Sequence, residues 1–138
     1  MTATVAIRER GSSIFQRQGS QTLREAAILT TSYVSSNSIR LTVYRDIGLF
    51  FSVDKGSLTS FQYKVQWSPD NITWYDEVTE SIAADTITDT VCYYTITLSG
   101  DTDFYKLFPY RGNYLRVQVK GTGTPTGSSC AVYLEAFN

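Results

Sequence analysis

Phe61, Tyr63, Val65 and Trp67 alternate with Gln62, Lys64 and Gln66, the period of two that sets one face of an extended strand in a core and the other in water. Ser68-Pro-Asp-Asn71 follows directly. Proline presets φ and the two Asx side chains bond nearby backbone, so a turn is predicted that returns the chain into a second strand opening at Trp74 and Tyr75. Upstream, Ile39, Leu41 and Val43 alternate with Arg40 and Thr42 across 38–44, and 47–53 is a more uniformly apolar run. Both predict strands. Asp54-Lys-Gly-Ser57 turns the chain into the Phe61 strand, while 91–98 and 104–110 read as strands separated by Ser99-Gly-Asp101. Residues 79–90, rich in Thr and Asp, read as a connection.

At the end of the chain Leu115, Val117 and Val119 face away from Tyr114, Arg116, Gln118 and Lys120, and Cys130, Val132 and Leu134 offer an opposing apolar row. The pattern predicts an antiparallel hairpin of 113–120 with 130–137. Its link, 121–129, is too long and glycine-rich for a two-residue turn and is expected to be a mobile tip or a contact loop. About eight or nine strands result, enough for two stacked antiparallel sheets with jelly-roll or immunoglobulin-like connections, and a small closed barrel is the alternative. Residues 1–22 differ in kind. They are rich in Gln, Arg and Ser and interrupted by Gly11 and Gly19, so they present no face to bury and are expected to form an extended N-terminal arm ordered by a neighbour. The expected organisation is an arm over 1–22 and one β-sandwich domain over 23–138.

A chain of 138 residues suits one domain with a self-sufficient core. Hydrophobic residues at 42% and charged residues at only 18%, with abundant Ser, Thr, Gly and Tyr, favour strands and turns over long helices. Net charge is −1, so no basic surplus points to phosphate neutralisation and nucleic acid is not an expected partner. No apolar run reaches the roughly 18 residues that would suggest a membrane helix, and no secretory leader is evident, so a soluble protein made in a cytoplasm is expected. Charge is nonetheless uneven. Between Lys64 and Lys106 every charged residue is acidic, whereas the first 24 residues carry Arg8, Arg10, Arg17 and Arg24 against Glu9 alone. This polarity fits either solvated loops and a polar tail or a complementary docking surface.

Candidate chemistry is sparse. The chain has no histidine, which removes the usual general base, the commonest metal ligand and the His-dependent nucleophile pairings. Asp76 with Glu77, or Asp101 with Asp103, could pair as in glycosidases, but adjacent strand residues point to opposite faces. Two cysteines without histidine make no zinc site. Cys92 and Cys130 are either a disulfide or two core thiols, and a reducing compartment favours thiols. Asp85, Asp89, Asp101 and Asp103 have the oxygen chemistry of calcium ligands without EF-hand spacing. Neither a metal nor another cofactor is expected. Trp74 and Tyr75, just beyond a turn, are the aromatic pair best placed to stack on a sugar ring at the surface.

The runs Val53-Asp-Lys-Gly-Ser-Leu-Thr-Ser60, Tyr63-Lys-Val-Gln-Trp-Ser-Pro-Asp-Asn71 and Trp74-Tyr-Asp-Glu77 resemble small β-sandwich structural proteins of tailed bacteriophages. Tyr114-Leu-Arg-Val-Gln-Val-Lys-Gly-Thr-Gly-Thr124 with Thr126-Gly-Ser-Ser129 is similar to the closing segment of that group. The resemblance covers about the last two-thirds of the chain and implies a non-enzymatic virion component assembled in the host cytoplasm. The first expectation is a capsid decoration or auxiliary protein, a small symmetric homo-oligomer with a trimer favoured. Its arginines, Arg8, Arg10, Arg17 and Arg24, would meet the major capsid protein or another virion protein. The alternatives are a carbohydrate-binding module using Trp74 and Tyr75, and a tail or neck completion protein.

Overall fold

A computed structural model describes residues 17–41 and 46–137, and within them twelve strands and no helix. They are β1 (Arg17–Ala27), β2 (Val34–Ser35), β3 (Ile39–Arg40), β4 (Asp46–Asp54), β5 (Leu58–Ser68), β6 (Tyr75–Asp76), β7 (Val78–Ala83), β8 (Thr86–Val91), β9 (Tyr94–Thr97), β10 (Thr102–Pro109), β11 (Tyr114–Gly123) and β12 (Ser129–Phe137). One sheet runs β1-β12-β4-β10. The other runs β2-β11-β5-β6, with β3 also on β11 and β9 also on β5, and β7 pairs only with β8.

The inward residues obey the alternation read from the sequence. Ile47, Leu49, Phe51 and Val53 of β4 and Val132, Leu134 and Ala136 of β12 close against Phe61, Tyr63 and Val65 of β5 and Leu115, Val117 and Val119 of β11 in one core. Rings of Phe104, Phe51, Tyr63 and Tyr94 follow one another in that order through it, with successive centroids 4.4 to 4.8 Å apart. Aromatic pairs at such spacing add to the area they bury. This is a β-sandwich.

Setting aside the short β6 and the β7–β8 pair, and taking β2 and β3 as two pieces on one edge of β11, the pairings are nested: β5 with β9, β4 with β10, β2 and β3 with β11, and β1 with β12. Such nesting is a long hairpin rolled up, the jelly-roll connection. It explains the main departure from the sequence reading. The predicted hairpin of the last two strands does not form: β11 pairs with β5, and β12 pairs with β1 and β4 in the opposite sheet. Their apolar rows face each other across the core instead of lying side by side. Of residues 121–129, the first three extend β11 and the last opens β12, and 124–128 cross between layers about 10 Å apart. The crossing is anchored, since Ser57 N–H donates to Thr126 O at 3.0 Å and Ser128 N–H to Pro125 O at 3.0 Å. Gly56, at φ +52°, sits so close to Thr126 and Gly127 that a Cβ there would run into their backbone.

Residues 79–90, read as a connection, instead form most of a ribbon with a two-residue tip. Ala83 pairs with Thr86, and Ala84 at the tip takes φ 55°. The described part of the expected arm, 17–22, is the first half of β1, paired with β12 from Arg17↔Phe137. The Phe61 strand and its turn follow the expectation. Trp67 pairs with Tyr75 across the turn, where Asp70 Oδ1 accepts Ile72 N–H and Thr73 N–H, each at 2.9 Å, and Ser68 Oγ accepts Asn71 N–H at 2.9 Å. Those backbone donors, with the Ser68 hydroxyl, hold the Asp70 carboxyl below its ordinary pKa.

Candidate docking surfaces

Three surfaces stand out against a well-packed interior. The first is the outer face of the sheet β1-β12-β4-β10. Tyr133, Phe50 and Tyr105 occupy one register row across β12, β4 and β10. Because inward positions on β4 are Ile47, Leu49, Phe51 and Val53, Phe50 is of outward parity, and its ring lies 5.6 Å from Tyr105. Leu107 pairs with Gly48 one row further along, where a side chain would meet Phe50 and Leu107. Tyr105 is 63% exposed and Leu107 55%. With Ser52 and Asp103 these aromatics line a shallow groove of about 450 Å³. Contiguous apolar surface of this kind, outward on a sheet, marks an interaction site more often than an isolated exposed side chain does.

The outer face of the other sheet is polar and cationic. Arg116, Gln118 and Lys120 of β11 pair with Gln66, Lys64 and Gln62 of β5. Lys64 Nζ and Lys120 Nζ lie 5.1 and 4.9 Å from the centroid of the Tyr33 ring, which stacks on Tyr93 at 6.2 Å. Arg116 lies 4.4 Å over the Trp74 ring and donates to Gln66 Oε1 at 2.7 Å. One acid answers these cations: Asp76, 3.1 Å from Lys64 and accepting from Gln66 at 2.8 Å. Partial burial opposes ionisation of Asp76, but the Gln66 and Lys64 bonds outweigh it and hold its pKa below the ordinary value. Burial lowers that of Arg116, and the nearby Asp76 charge offsets part of the effect.

Glu77, next in sequence, turns the other way, as strand parity requires. It accepts from Trp67 Nε1 at 3.1 Å and Tyr94 Oη at 3.3 Å and pairs with Arg111 at 3.0 Å. Asp76 and Glu77 therefore serve separate networks on opposite faces. Burial, then the neighbouring Glu77 charge, push the Tyr94 hydroxyl up to about 12. Burial alone lifts the Cys130 thiol to about 12, and Cys92 rises for the same reason, with Glu77 adding to it. Both cysteines are free thiols.

Of the basic residues singled out in the sequence, Arg8 and Arg10 lie outside the described residues, and Arg17 opens β1. Arg24 is spent locally: Nε donates to Cys130 O at 3.0 Å and Nη2 to the carbonyls of Ala27 and Ile28 at 3.1 and 3.0 Å, fastening the irregular end of β1. Trp74 and Tyr75 are divided. Arg116 occupies one face of the Trp74 ring, while Tyr75, 59% exposed, opens onto a second groove of about 340 Å³ with Pro69, Arg111 and Asn113. Asp101 accepts Lys55 N–H at 2.9 Å, and Asp103 borders the aromatic groove. Among the described residues no three His, Cys, Asp or Glu side chains gather as metal ligands would. The aromatic row was missed in the sequence although its signal is present: Phe50, Tyr105 and Tyr133 are each a large apolar residue at outward parity.

The third surface is the ribbon. Every residue from Val78 to Thr90 is exposed, and Cys92 N–H donating to Glu77 O at 2.8 Å closes its base.

The architecture defines the class: a jelly-roll β-sandwich with a projecting ribbon. No family model matches the chain. No curated protein matches it either. Among solved structures it is similar to the crystal structure of the SPBc2 prophage-derived protein YomS, with 18% identity and a TM-score of 0.53 over 92% of this chain and 97% of that one. It also matches the structure of the infectious bursal disease virus Gx strain at 9% identity and a TM-score of 0.47, over 91% of this chain but 32% of that one. At such identities the first likeness speaks for the fold alone, and the second is too loose to bear on function.

Proposed function

We propose that this chain is a non-enzymatic structural protein of a tailed-phage particle, a capsid decoration protein that binds the head shell through its N-terminal arm and the outer face of the sheet β1-β12-β4-β10. The observation that carries this reading is the outer face of the sheet β1-β12-β4-β10, which exposes Tyr105, Leu107 and Tyr133 beside a half-buried Phe50, while residues 1–16 directly precede its edge strand β1 in sequence. The motif resemblance to phage β-sandwich proteins supports it, and a fold shared with a prophage-derived protein is in keeping with it.

The mechanism is adhesion. A protein that binds the assembled, expanded shell and not its loose subunits stabilises the shell by mass action, about 2.7 kcal/mol per site at a free concentration a hundredfold above Kd. Aromatic side chains supply apolar area at little entropic cost, and the arm's arginines supply directional pairing with acidic shell surface. Arg8 and Arg10 are the residues assigned that part.

Purified shells lacking the protein, titrated with it and pelleted, test the assignment. The full chain is expected to saturate the shells in many copies, and Tyr105→Asp with Leu107→Asp to weaken binding by about a hundredfold while leaving the fold intact. Removal of residues 1–16 is expected to weaken it comparably. Undiminished binding by both variants overturns the assignment. Binding of tails alone moves the reading to a tail or neck completion protein, and retardation by polysaccharide, lost in Tyr75→Ala, moves it to a carbohydrate-binding module.

A further inference from the structure

The strands of the ribbon β7–β8 pair with each other and with no strand of the two sandwich sheets. An isolated two-stranded hairpin is at best marginally stable in water. Its two faces nevertheless differ completely. On one, the cross-strand pairs are Val78–Val91, Glu80–Asp89 and Ile82–Ile87; on the other they are Thr79–Thr90, Ser81–Thr88 and Ala83–Thr86. The first face is apolar, acidic, apolar in sequence, with Ile82 72% and Ile87 62% exposed. Placing Glu80 directly opposite Asp89 sets like charges against each other, a cost to the ribbon on its own. A surface that exposes β-branched side chains and repels itself in the middle is built for a counterpart with a cation at its centre and apolar area on either side.

A cationic counterpart lies on the same chain, on the outer face of β5 and β11, where the exposed Tyr93 ring, stacked on Tyr33, supplies apolar area beside it. Lys64, Arg116 and Lys120 face one acid, Asp76, and each cation lies over an aromatic ring, Tyr33 or Trp74. Lys120 has no carboxylate partner among the described residues. The ribbon of the same molecule stands clear of this face, because all of its residues from Val78 to Thr90 remain exposed. Lys64, paired with Asp76, is only 15% exposed, so Lys120 is the cation left for the ribbon of a second molecule to meet. We propose that the ribbon is a self-assembly arm, whose Val78–Glu80–Ile82 and Ile87–Asp89–Val91 face docks on the cationic outer face of β5–β11 of a second copy of this chain.

The contact is heterologous, ribbon to sheet. It closes into a ring if the rotation between copies permits and extends as a filament if it does not. The inference rests on the homo-oligomer expected from the sequence and names its interface. It leaves the aromatic face of the other sheet free for the shell.

Sedimentation velocity of the full chain, without particles, over a wide range of concentration is the test. The unaltered protein is expected to form a discrete assembly that dissociates on dilution and in high salt. Glu80→Lys with Asp89→Lys is expected to weaken assembly by about tenfold or more, and Lys120→Glu to weaken it similarly. Mixing the two altered chains is expected to restore a mixed assembly, because the reversed charges then meet. Ile82→Asp, at the exposed tip, removes apolar contact and is expected to give monomers with an unchanged near-ultraviolet circular dichroism spectrum. A monomer at every concentration overturns the proposal, as do charge reversals that leave the mass unchanged or a mixture that fails to reassemble. A monomer that still saturates shells removes this interface and keeps the decoration reading. An oligomer that ignores shells does the reverse.

Discussion

Glu77 shows how a single side chain can hold several elements. From its place between β6 and β7 it receives the indole of β5 and the phenol of β9 and pairs with Arg111 beyond β10, while its backbone joins Val65 and Cys92. Its side chain is 9% exposed, against 53% for Arg111, so deletion leaves two buried donors unpaired while the guanidinium rehydrates. Glu77→Ala is expected to cost about 3 kcal/mol in urea unfolding at neutral pH, and Arg111→Ala about 1 kcal/mol or less. Titration supplies a second expectation at this scale. Burial raises Cys130 and Tyr94 to about 12, and Tyr63 also rises, so above the ordinary thiol pKa of 9.0 the unfolded chain loses protons that the folded one keeps. The folded state then binds more protons, and stability falls as pH rises. It is fully present below pH 9 and is lost progressively towards pH 12, which denaturant midpoints across that range will show, and Cys130→Ala is expected to flatten the early part of the decline. None of these partners could be read from the sequence, where Glu77 is one acid among many. What could be read was parity, which sent Asp76 and Glu77 to opposite faces.

Among the elements, those with a buried side were legible and those without one were not. The β5 strand declared itself because Phe61, Tyr63, Val65 and Trp67 all reach the core. The ribbon carries equally regular alternation, but its apolar row is interrupted by Glu80 and Asp89 and nothing in the sandwich covers it, so its composition reads as loop. The closing pair failed for a different reason. Two apolar rows near each other in sequence are compatible with lying side by side in one sheet or facing each other between sheets, and local pattern does not distinguish them. A glycine outside the crossing segment, in the turn before β5, pins it in place. Gly56 holds a left-handed conformation against the backbone of Thr126 and Gly127, so Gly56→Ala is expected to cost about 2 kcal/mol or more, seen as a lowered urea midpoint at unchanged slope. The loss comes from separating the turn before β5 from the arch before β12.

For the molecule as a whole, the nested pairing means that the last strand completes the first. β1 meets β12 only after the intervening chain has been placed, a non-local topology of the kind that folds slowly for its size. The same arrangement keeps three surfaces apart: an aromatic face on one sheet, a cationic face on the other, and the ribbon. Under the two proposals made above, the sandwich would be a spacer between a shell and a neighbouring copy. The pairing of Arg17 with Phe137 has a mechanical meaning as well. Both strands of this ladder present their outer ends at one corner, so tension applied between the residue before Arg17 and the one after Phe137 peels the strands apart a pair at a time instead of shearing the whole ladder together. A pull from those two points loads a peripheral seam, one that can open and reclose while the layers of packed rings stay shut.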